Sequence, residues 1–366
     1  MADTSNNAGE AAATATSTTM RAWQYTRAGN DLAAALTLRT TAPRPPTPTP
    51  ADRLLVRVTH MSPNPADYKM AELGRLISLL LPRPRVASSP GMDYAGVVVE
   101  VGSAVDVDNS SSYKYKPGDA VFGSVIGTPF GSLGEYVQPT PDNCVPIPPP
   151  VSPADASTLG TAAATAYYAI KPYVTPGAGA EVFVNGGAGG VGTYAVQIAA
   201  RALGCVVTTS CSARNAALCV SLGASTVLDY NAVDVSAALR ARGPVFRLVV
   251  DNVGDKPADL YKAADDYLVP DGVFVQVGGE LTVSGLLVIA SRAFWPTALG
   301  GGKRAWKLLQ EPHRHEDLAE VARWMQEGTI RAVVDGDVIP FEEAPEAYRK
   351  LKTGRTRGNL VVKVSD

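Results

Sequence analysis

The chain has 366 residues, and its length predicts two packed domains, because single domains usually contain roughly 100 to 200 residues. Its 33 Lys and Arg residues nearly balance 35 Asp and Glu residues, so the charge indicates neither nucleic acid nor an anionic membrane as a partner. The apolar stretches are shorter than the roughly 18 residues that a membrane span needs. We therefore expect a protein that binds small molecules and has no transmembrane segment.

The N-terminus and the cysteines bear on where the protein is located. The first 19 residues are small and polar and contain no Lys or Arg, unlike a mitochondrial transit peptide, and they lack the apolar region of a secretory signal. The four cysteines are not spaced as in a disulfide scaffold, which favours a reducing compartment. The sequence thus predicts a disordered tail over residues 1–19 and a cytoplasmic location.

Short strand-like runs separated by glycine turns follow from Met20 onwards. The clearest of these runs are Leu54–Val58, Tyr94–Val101, Ala120–Phe122, Glu135–Val137 and Cys144–Ile147. A proline-rich connector that begins at Pro43 favours an extended linker over a helix. Up to about residue 155, the chain therefore predicts a compact β-rich domain.

Strands and helices alternate after Val151. The predicted strands are Ala180–Asn185, Cys205–Ser210, Thr226–Asp229, Phe246–Asp251 and Val273–Val277. The predicted helices are Thr193–Leu203, Arg214–Leu222, Val233–Ala241 and Leu260–Tyr267. Strict alternation of this kind indicates an α/β domain with a parallel, doubly wound sheet.

The C-terminal part contains two amphipathic helices, predicted over His315–Gln326 and Ala344–Leu351, and a final strand over Asn359–Val364. That strand has no α/β unit to join. We therefore expect it to return to the β-rich domain, which would then contain both ends of the ordered chain.

The loop between the first predicted strand and helix of the α/β domain has the sequence NGGAGGVG. Within it, Gly187-x-Gly189-x-x-Gly192 matches the dinucleotide-binding fingerprint in its proper context, after a strand and before a helix. The glycines allow a tight turn, a close approach of backbone N–H groups to the pyrophosphate, and helix–strand packing. The loop, which also contains Ala188, Gly190 and Val191, therefore predicts a bound nicotinamide dinucleotide.

The end of the second strand distinguishes between the two dinucleotides. An NAD site usually has an Asp or Glu there for the ribose hydroxyls, but this chain has Ser210, Ser212 and Arg214. Serine and arginine can donate hydrogen bonds to a dianionic 2′-phosphate, which a carboxylate would repel. We therefore predict NADPH, with the alternative that Arg214 is only a solvated residue in the first turn of a helix.

A zinc site would need about three or four ligands from Cys, His or carboxylates. Histidine occurs only at His60, His313 and His315, and no Cys-x-x-Cys pair is present. The His313-x-His315 pair is more typical of a surface loop before a helix. We therefore predict no metal.

With these residues in view, the chain resembles the medium-chain dehydrogenase/reductase superfamily from Met20 to Val364, and most of all its zinc-free quinone oxidoreductase branch. The segments that carry the likeness are Asn64–Lys69, Pro90–Gly96, the glycine loop and Gly354–Val362. Leu299–Arg304 and Cys211–Asn215 are similar to fungal relatives of the reticulon-interacting mitochondrial oxidoreductase. The resemblance implies a GroES-like catalytic domain over residues 20–155 and 301–366, a Rossmann domain over residues 156–300, and an active site in the cleft between them.

The resemblance also implies roles for residues outside the glycine loop. Tyr230 and Asn252 would line the adenosine side of the cofactor site. The backbone of Val277, Gly278 and Gly279 would lie against the nicotinamide.

Residues 61–69, which we call the reactive segment, would supply the catalytic groups. By the resemblance, Asn64 and Asp67 would form hydrogen bonds near the nicotinamide and its ribose, and Tyr68 or Lys69 would donate to the acceptor's developing oxyanion. The alternative is that Asn64 and Asp67 only cap the turn and the helix that follows.

The function expected from these observations is hydride transfer from NADPH to a quinone or another conjugated carbonyl acceptor. Such an acceptor delocalises the developing charge, so a metal is dispensable. Two alternatives stay open: a trans-acting enoyl reductase of fungal polyketide biosynthesis, and a non-catalytic NADPH-binding scaffold or sensor. We expect a monomer or a homodimer with a small-molecule acceptor.

Overall fold

The fold is that of a computed structural model of the chain. It describes residues 18–80, 86–105, 113–126, 129–254, 260–279, 285, 292, 302–309 and 314–366. Residues 1–17 of the predicted tail lie outside the described residues, and the first strand already begins at Thr19. No helix within these ranges is long and apolar enough to cross a membrane.

The strands are numbered in chain order. They are β1 (Thr19–Gln24), β2 (Thr37–Pro43), β3 (Leu54–Ser62), β4 (Asp93–Val101), β5 (Ala120–Ser124), β6 (Tyr136–Val137), β7 (Cys144–Pro146), β8 (Glu181–Asn185), β9 (Val206–Cys211), β10 (Thr226–Asp229), β11 (Phe246–Asp251), β12 (Leu268–Gln276), β13 (Ala305–Leu308), β14 (Ile339–Pro340) and β15 (Val362–Lys363).

The helices are likewise numbered in chain order. They are α1 (Leu32–Ala35), α2 (Pro65–Leu80), α3 (Pro153–Ala156), α4 (Ala164–Ile170), α5 (Gly190–Gln197), α6 (Ala216–Leu222), α7 (Val235–Ala241), α8 (His315–Gln326) and α9 (Ala344–Lys352). A π-helical turn, Leu159–Ala163, precedes α4, and a second one, Ile198–Ala202, continues α5.

A mostly antiparallel sheet forms the first domain. Its strands lie in the order β14, β15, β3, β4, β5 and β7, with β6 also paired to β3. Alternate residues of β3, Leu54, Val56 and Val58, are fully buried in the core of this domain, and Leu55 between them is buried in a smaller cluster. The antiparallel sheet and its core confirm the predicted β-rich domain.

The final strand returns to the first domain, as expected. In β15, Val362 pairs antiparallel with Met61 of β3, and the same strand pairs in parallel with β14. The ladder is shorter than the predicted strand, because Asn359 is instead bonded through its backbone to Val333 and Asp335.

The second domain is built on a parallel sheet in the order β10, β9, β8, β11, β12 and β13. The glycine loop follows β8, a central strand, so the loop lies at the carboxyl edge where doubly wound sheets bind ligands. The predicted Rossmann-type sheet is therefore confirmed.

Two sequence-based assignments in this domain differ from the structure. Strand β13 pairs with β12 although it lies beyond the predicted boundary at residue 300, so the sheet extends past that boundary. The segment predicted as a helix over Leu260–Tyr267 contains only a 3₁₀ turn, Ala264–Asp266, because the carbonyl oxygen of Tyr267 already accepts from the N–H of Phe246 in β11. Its apolar side chains are buried nevertheless. The spacing of apolar residues therefore correctly indicated a face packed in the core, but it did not predict the type of helix.

The two domains share a continuous hydrophobic cluster. Ala95, Phe122 and Val145 of the first sheet belong to the same buried cluster as Val184 and Tyr194 of the second domain. The segment from α3 through the π-helical turn to α4 contributes further buried residues to this cluster. The two domains are thus packed against each other through a common core.

Candidate functional site

The glycine loop has the steric features that the fingerprint requires. A side chain at Gly187 would lie 2.0 Å from Thr209 Oγ1, and one at Gly192 would lie 2.0 Å from the carbonyl oxygen of Gly186. Both positions therefore exclude any larger residue. Gly189 differs, because the nearest atom to a side-chain carbon at this position would be 3.8 Å away, so open space lies on that side of the loop. The positive φ of the turn, +80°, belongs to Gly186 rather than to Gly187.

Helix α5 begins within the glycine loop, three residues earlier than predicted. Its N-cap is Gly189, and no side chain caps it. The first N–H groups of a helix have no intrahelical partner, and the helix dipole is positive at this end. This end of α5 can therefore hold an anion such as a pyrophosphate.

Ser210 faces the interior of the sheet. Its hydroxyl donates to Asn185 Oδ1 at 2.6 Å and accepts from the backbone N–H of Gly186 at 2.9 Å, and the residue is 1% exposed. This differs from the predicted contact with a 2′-phosphate. Because Ser210 is buried within β9, one residue before its end, its side chain holds the start of the glycine loop instead.

Ser212, Arg214 and Tyr230 lie at the edge of the sheet beyond β9 and β10. The Ser212 hydroxyl oxygen is buried and has no hydrogen-bond partner among the described residues. Arg214 is exposed in the 3₁₀ turn Ala213–Asn215, and Tyr230 is 56% exposed. Polar and cationic groups are thus available where the sequence predicted a 2′-phosphate.

Sequence reasoning missed an acid close to this position. Asp229, the last residue of β10, pairs in register with Cys211. Its Oδ1 accepts from both the backbone N–H and the side chain of Asn231, at 3.0 and 3.1 Å. The carboxylate is therefore directed into its own turn.

The segment assigned to the nicotinamide follows β12. The N–H groups of Val277 and Gly278 both donate to the carbonyl oxygen of Asp251 at 2.9 Å. A side chain at Gly278 would lie 2.1 Å from the carbonyl oxygen of Asn252, so only glycine fits there. Asn252 donates from Nδ2 to the Asn185 carbonyl oxygen, while its buried Oδ1 has no partner in the described part of the chain.

Asp251 was not predicted, and it connects these loops. Its Oδ1 accepts from Asn185 Nδ2 at 2.8 Å and from the N–H groups of Val253 and Gly254 at 3.1 and 3.0 Å. Burial raises the pKa of the Asp251 carboxyl, and these hydrogen bonds oppose the rise. In the sequence, the position of Asp251 at the end of a predicted parallel strand was the feature that could have identified it as a site residue.

In the reactive segment, Asn64 and Asp67 hold each other. The Asn64 N–H donates to Asp67 Oδ2 at 2.8 Å, and the Asp67 N–H donates to the Asn64 carbonyl oxygen at 3.0 Å. Tyr348 also donates to Asp67 Oδ2. Burial raises the pKa of the Asp67 carboxyl to about 7 although these hydrogen bonds favour its ionised form. This geometry supports the capping alternative over a nicotinamide contact, because both side chains face inward.

Asp93 is a second buried acid that the sequence analysis did not select. It is 0% exposed, and it accepts from Asn64 Nδ2 at 2.9 Å and from the N–H and hydroxyl of Thr161 at 2.9 and 2.5 Å. Burial, together with the charge of Asp67, raises the pKa of the Asp93 carboxyl to about 8. Asp93 thereby joins the reactive segment to the π-helical turn that enters the second domain.

Lys69 and Tyr68 point to different places. Lys69 Nζ donates to the carbonyl oxygen of Gly279 at 2.7 Å, which joins the reactive segment to the segment after β12. Tyr68 packs against the core of the first domain, with Lys352 Nζ 5.7 Å from its ring centroid. Of the two predicted donors, Lys69 is therefore the one that the structure brings to the Val277–Gly279 segment.

No group of three or more His, Cys, Asp or Glu side chains that could hold a metal ion occurs within the described ranges. His315 begins α8 and is buried rather than at the surface, with Nδ1 2.9 Å from the Cys144 carbonyl oxygen. This contact with the Cys144 carbonyl oxygen holds the imidazole in place. His313 lies outside the described residues.

Comparison with known proteins gives matches along nearly the whole chain. The family model "Alcohol dehydrogenase GroES-like domain" matches residues 50–149, and the model "Zinc-binding dehydrogenase" matches residues 222–362. The trans-enoyl reductase pgmF of Aspergillus terreus is 41% identical over 353 residues, covering 95% of this chain and 97% of that protein.

Two solved structures have the same fold. The quinone oxidoreductase from Coxiella burnetii is 29% identical with a TM-score of 0.77, covering 94% of this chain and 99% of that one. The Escherichia coli quinone oxidoreductase complexed with NADPH is 22% identical with a TM-score of 0.70, at 94% and 99% coverage. The resemblance inferred from the sequence is confirmed, and the chain belongs to the medium-chain dehydrogenase/reductase superfamily, among relatives of the quinone oxidoreductase type.

Proposed function

We propose that the chain is an NADPH-dependent oxidoreductase that transfers a hydride to a conjugated carbonyl acceptor. The observation that carries the proposal is the hydrogen bond between Lys69 Nζ and the carbonyl oxygen of Gly279. It places the ammonium group of the reactive segment beside the segment that the family resemblance assigns to the nicotinamide. A cation there can stabilise the negative charge that develops on an acceptor oxygen.

The residues present fit a dinucleotide. The start of α5, which no side chain caps, and the open space beside Gly189 suit a pyrophosphate. Buried polar atoms without partners in the described ranges, Ser212 Oγ and Asn252 Oδ1, would gain hydrogen bonds from the adenosine ribose and its substituents. When bound, the cofactor supplies the hydride.

NADPH is our choice over NADH because of the groups beyond β9. Ser212 and Arg214 offer a hydroxyl and a guanidinium to a 2′-phosphate, while the nearby Asp229 carboxylate is bonded to Asn231. A guanidinium can bind a phosphate through charge-assisted hydrogen bonds.

In this mechanism the chain's residues position the reacting groups and stabilise the charge that develops on the acceptor. Lys69 Nζ can move its hydrogen bond from the Gly279 carbonyl oxygen to the acceptor oxygen, or donate to both oxygens. It can also donate the proton that the product requires. Asn64, Asp67 and Asp93 hold the reactive segment in place through the buried hydrogen bonds described above.

The acceptor is a quinone, an enone or an enoyl thioester. A relative with 41% identity carries the name trans-enoyl reductase, and this observation favours an enoyl thioester as strongly as the solved quinone oxidoreductase favours a quinone. In both acceptors conjugation spreads the developing charge, so positioning contributes much of the catalysis.

A panel of quinones, enones and enoyl thioesters tests the proposal through the loss of reduced-nicotinamide absorbance. We expect turnover with at least one class, and faster turnover with NADPH than with NADH. Tight NADPH binding without turnover on any acceptor would contradict the proposal and favour the scaffold or sensor alternative.

We further propose a cytoplasmic protein that is a monomer or a homodimer. The support for the compartment is that Cys144, Cys205, Cys211 and Cys219 are all buried free thiols. Imaging of a fluorescent fusion tests the location, and light scattering after size-exclusion chromatography measures the oligomeric state. A protein recovered in an oxidising compartment, or as a larger assembly, would contradict the respective statement.

A further inference from the structure

Thr161 is an open position within a buried segment. Across residues 156–170, all of which the structure describes, every residue is buried except Thr161, which is partly accessible. It belongs to the π-helical turn Leu159–Ala163, and π-helical turns are frequent at functional sites. The turn packs against β4 and β5 of the first sheet and against helix α5 of the second domain. Thr161 therefore lies where the two domains meet.

A glycine brings this turn close to the buried acid Asp93. A side chain at Gly160 would lie 2.4 Å from the Gly123 carbonyl oxygen and 2.8 Å from Asp93 Oδ1, so only glycine fits there. The next residue, Thr161, donates from its hydroxyl to Asp93 Oδ1 at 2.5 Å, which is short for a hydrogen bond between two oxygens. A partly accessible threonine thus has a fully buried acid directly behind it.

The two oxygens of the Asp93 carboxyl have different partners. Oδ2 accepts from Asn64 Nδ2 and from the Thr161 N–H, both at 2.9 Å, and neither of these groups can accept a proton in return. Oδ1 faces the Thr161 hydroxyl, which can either donate or accept. A proton on Asp93 is therefore held by Oδ1 and directed at Thr161 Oγ1. In that state the hydroxyl accepts from the acid, and its own hydrogen can be donated to another group.

The surroundings keep this proton on Asp93 near neutral pH. Burial raises the pKa of the Asp93 carboxyl to about 8, and the neighbouring Asp67 carboxylate adds to the rise. The other titratable groups that face Asp93 within the described ranges are the phenols of Tyr194 on α5 and Tyr348 on α9. Burial raises the pKa of both phenols far above neutral, so they carry no charge.

We propose that Thr161 and Asp93 form a proton relay that protonates the α-carbon of an enone or an enoyl thioester after hydride transfer. This inference rests on the proposed function. Hydride addition at the β-carbon moves the electron pair of the C=C bond and gives an enolate. The Thr161 O–H bond then breaks as its proton forms the new C–H bond at the α-carbon, while the proton of Asp93 moves to Thr161 Oγ1. The Asp93 carboxylate regains a proton from solvent.

Lys69 and Thr161 then act on different atoms of the acceptor. Lys69 stabilises the enolate oxygen, and any proton that it donates there returns to it when the α-carbon is protonated, so the acceptor gains one hydride and one proton in total. Asp93 is bonded to Asn64, which belongs to the same reactive segment as Lys69. One hydrogen-bonded unit therefore connects the relay to the segment that carries Lys69.

An acceptor with a methyl group on its α-carbon makes the protonation step visible, because each face of the enolate gives a different configuration. Wild type should give mainly one configuration at the α-carbon. Thr161→Val keeps the shape of the side chain but lacks the hydroxyl, so water should protonate the enolate from both faces. We expect nearly equal amounts of the two configurations, and a kcat on this acceptor that is lower by about 10²-fold.

Two further variants separate a relay from a residue that only supports the fold. Asp93→Asn keeps the same partners but has no acidic proton, so it should show the same mixture of configurations, and it gives the same test if Thr161→Val does not fold. Thr161→Ser restores the hydroxyl and should recover the single configuration. The kcat of wild type on this acceptor should fall as the pH rises through about 8, because the acid form of Asp93 is the donor, whereas Thr161→Val should not show this fall.

A quinone is the control acceptor, because its oxygens take protons from water and no C–H bond forms. The loss caused by Thr161→Val should be at least about tenfold smaller with a quinone than with the α-methyl acceptor. An equal loss on both would overturn the relay, because Thr161 would then act through the shape of the site. If Thr161→Val keeps the kcat and configuration of wild type, or if wild type reduces quinones but no C=C bond, the relay is wrong although hydride transfer stands. If wild type oxidises NADPH with no conjugated acceptor, the proposed function itself fails.

Discussion

The buried carboxyl of Asp93 should make the stability of the fold depend on pH. Its pKa in the folded protein is about 8, against 3.8 as the ordinary value, because burial disfavours the charged form. The proton on Asp93 therefore contributes stability that is fully present below pH 3.8 and is lost as the pH rises towards 8. In that window the free energy of unfolding should fall by up to about 1.4 kcal/mol per pH unit.

The substitution Asp93→Asn removes this titration while keeping the same hydrogen-bond partners. The amide oxygen can accept from Asn64 Nδ2 and the Thr161 N–H, and the amide nitrogen can donate to the Thr161 hydroxyl, which reverses the direction of that one hydrogen bond. We expect the stability of Asp93→Asn relative to wild type to increase by about 2 to 3 kcal/mol between roughly pH 5 and pH 7.

Urea unfolding followed by tryptophan fluorescence at several pH values measures this difference. Asp337→Asn, at an exposed carboxylate, is the matched control and should leave the pH dependence of wild type unchanged. A constant difference between Asp93→Asn and wild type across the range would refute the reasoning, since Asp93 would then titrate alike in the folded and unfolded chains.

Three further predictions concern the cofactor, the metal and the proton donor. Arg214→Ala should weaken the binding of NADPH by about 10- to 100-fold and leave the binding of NADH nearly unchanged in a titration. An equal loss for both would show that Arg214 does not contact the 2′-phosphate. Elemental analysis should find no stoichiometric zinc, and activity should survive a chelator, whereas activity that returns only with zinc would mean that a metal site was overlooked. Lys69→Met should lower kcat on a quinone by about 10²-fold or more, while Tyr68→Phe stays within about threefold, because Lys69 is bonded to Gly279 and Tyr68 packs into the core of the first domain. A loss below threefold for Lys69→Met would indicate water as the proton source.

The sequence predicted the parts of the fold that depend on local patterns. Alternation of strands and helices, together with a glycine loop in the right place, was enough to predict the parallel sheet. The position of β13 could not be predicted, because its pairing with β12 depends on contacts between segments that are distant in the sequence. The return of the last strand could be predicted, since it had no other sheet to join.

Residue types at the site were predicted better than side-chain directions. Ser210 and Ser212 are the same residue type two positions apart, but Ser210 lies within β9 and is buried in the sheet, whereas Ser212 follows the strand. Likewise, Tyr68 and Lys69 are neighbours on α2, where adjacent residues point about 100° apart, so only one could face Gly279. These directions follow from the three-dimensional packing.

The buried acids Asp93 and Asp251 were missed for a related reason. Each carboxyl accepts hydrogen bonds from other segments of the chain, such as that of Thr161 for Asp93 and that of Gly254 for Asp251. No spacing in the sequence brings these donors together. An acid within or at the end of an otherwise apolar strand is the signal that could have drawn attention to them, since such residues are rarely buried without partners.

Isotope transfer tests the central claim most directly. NADPH labelled with deuterium at the transferable hydrogen of its nicotinamide should be incubated with an enone or an enoyl thioester, and the product analysed by mass spectrometry and nuclear magnetic resonance. We predict one deuterium at the β-carbon of the reduced product, with its proton partner taken from solvent. Cofactor oxidation without deuterium in any product, or no oxidation with any conjugated acceptor, would contradict hydride transfer as the function of this protein.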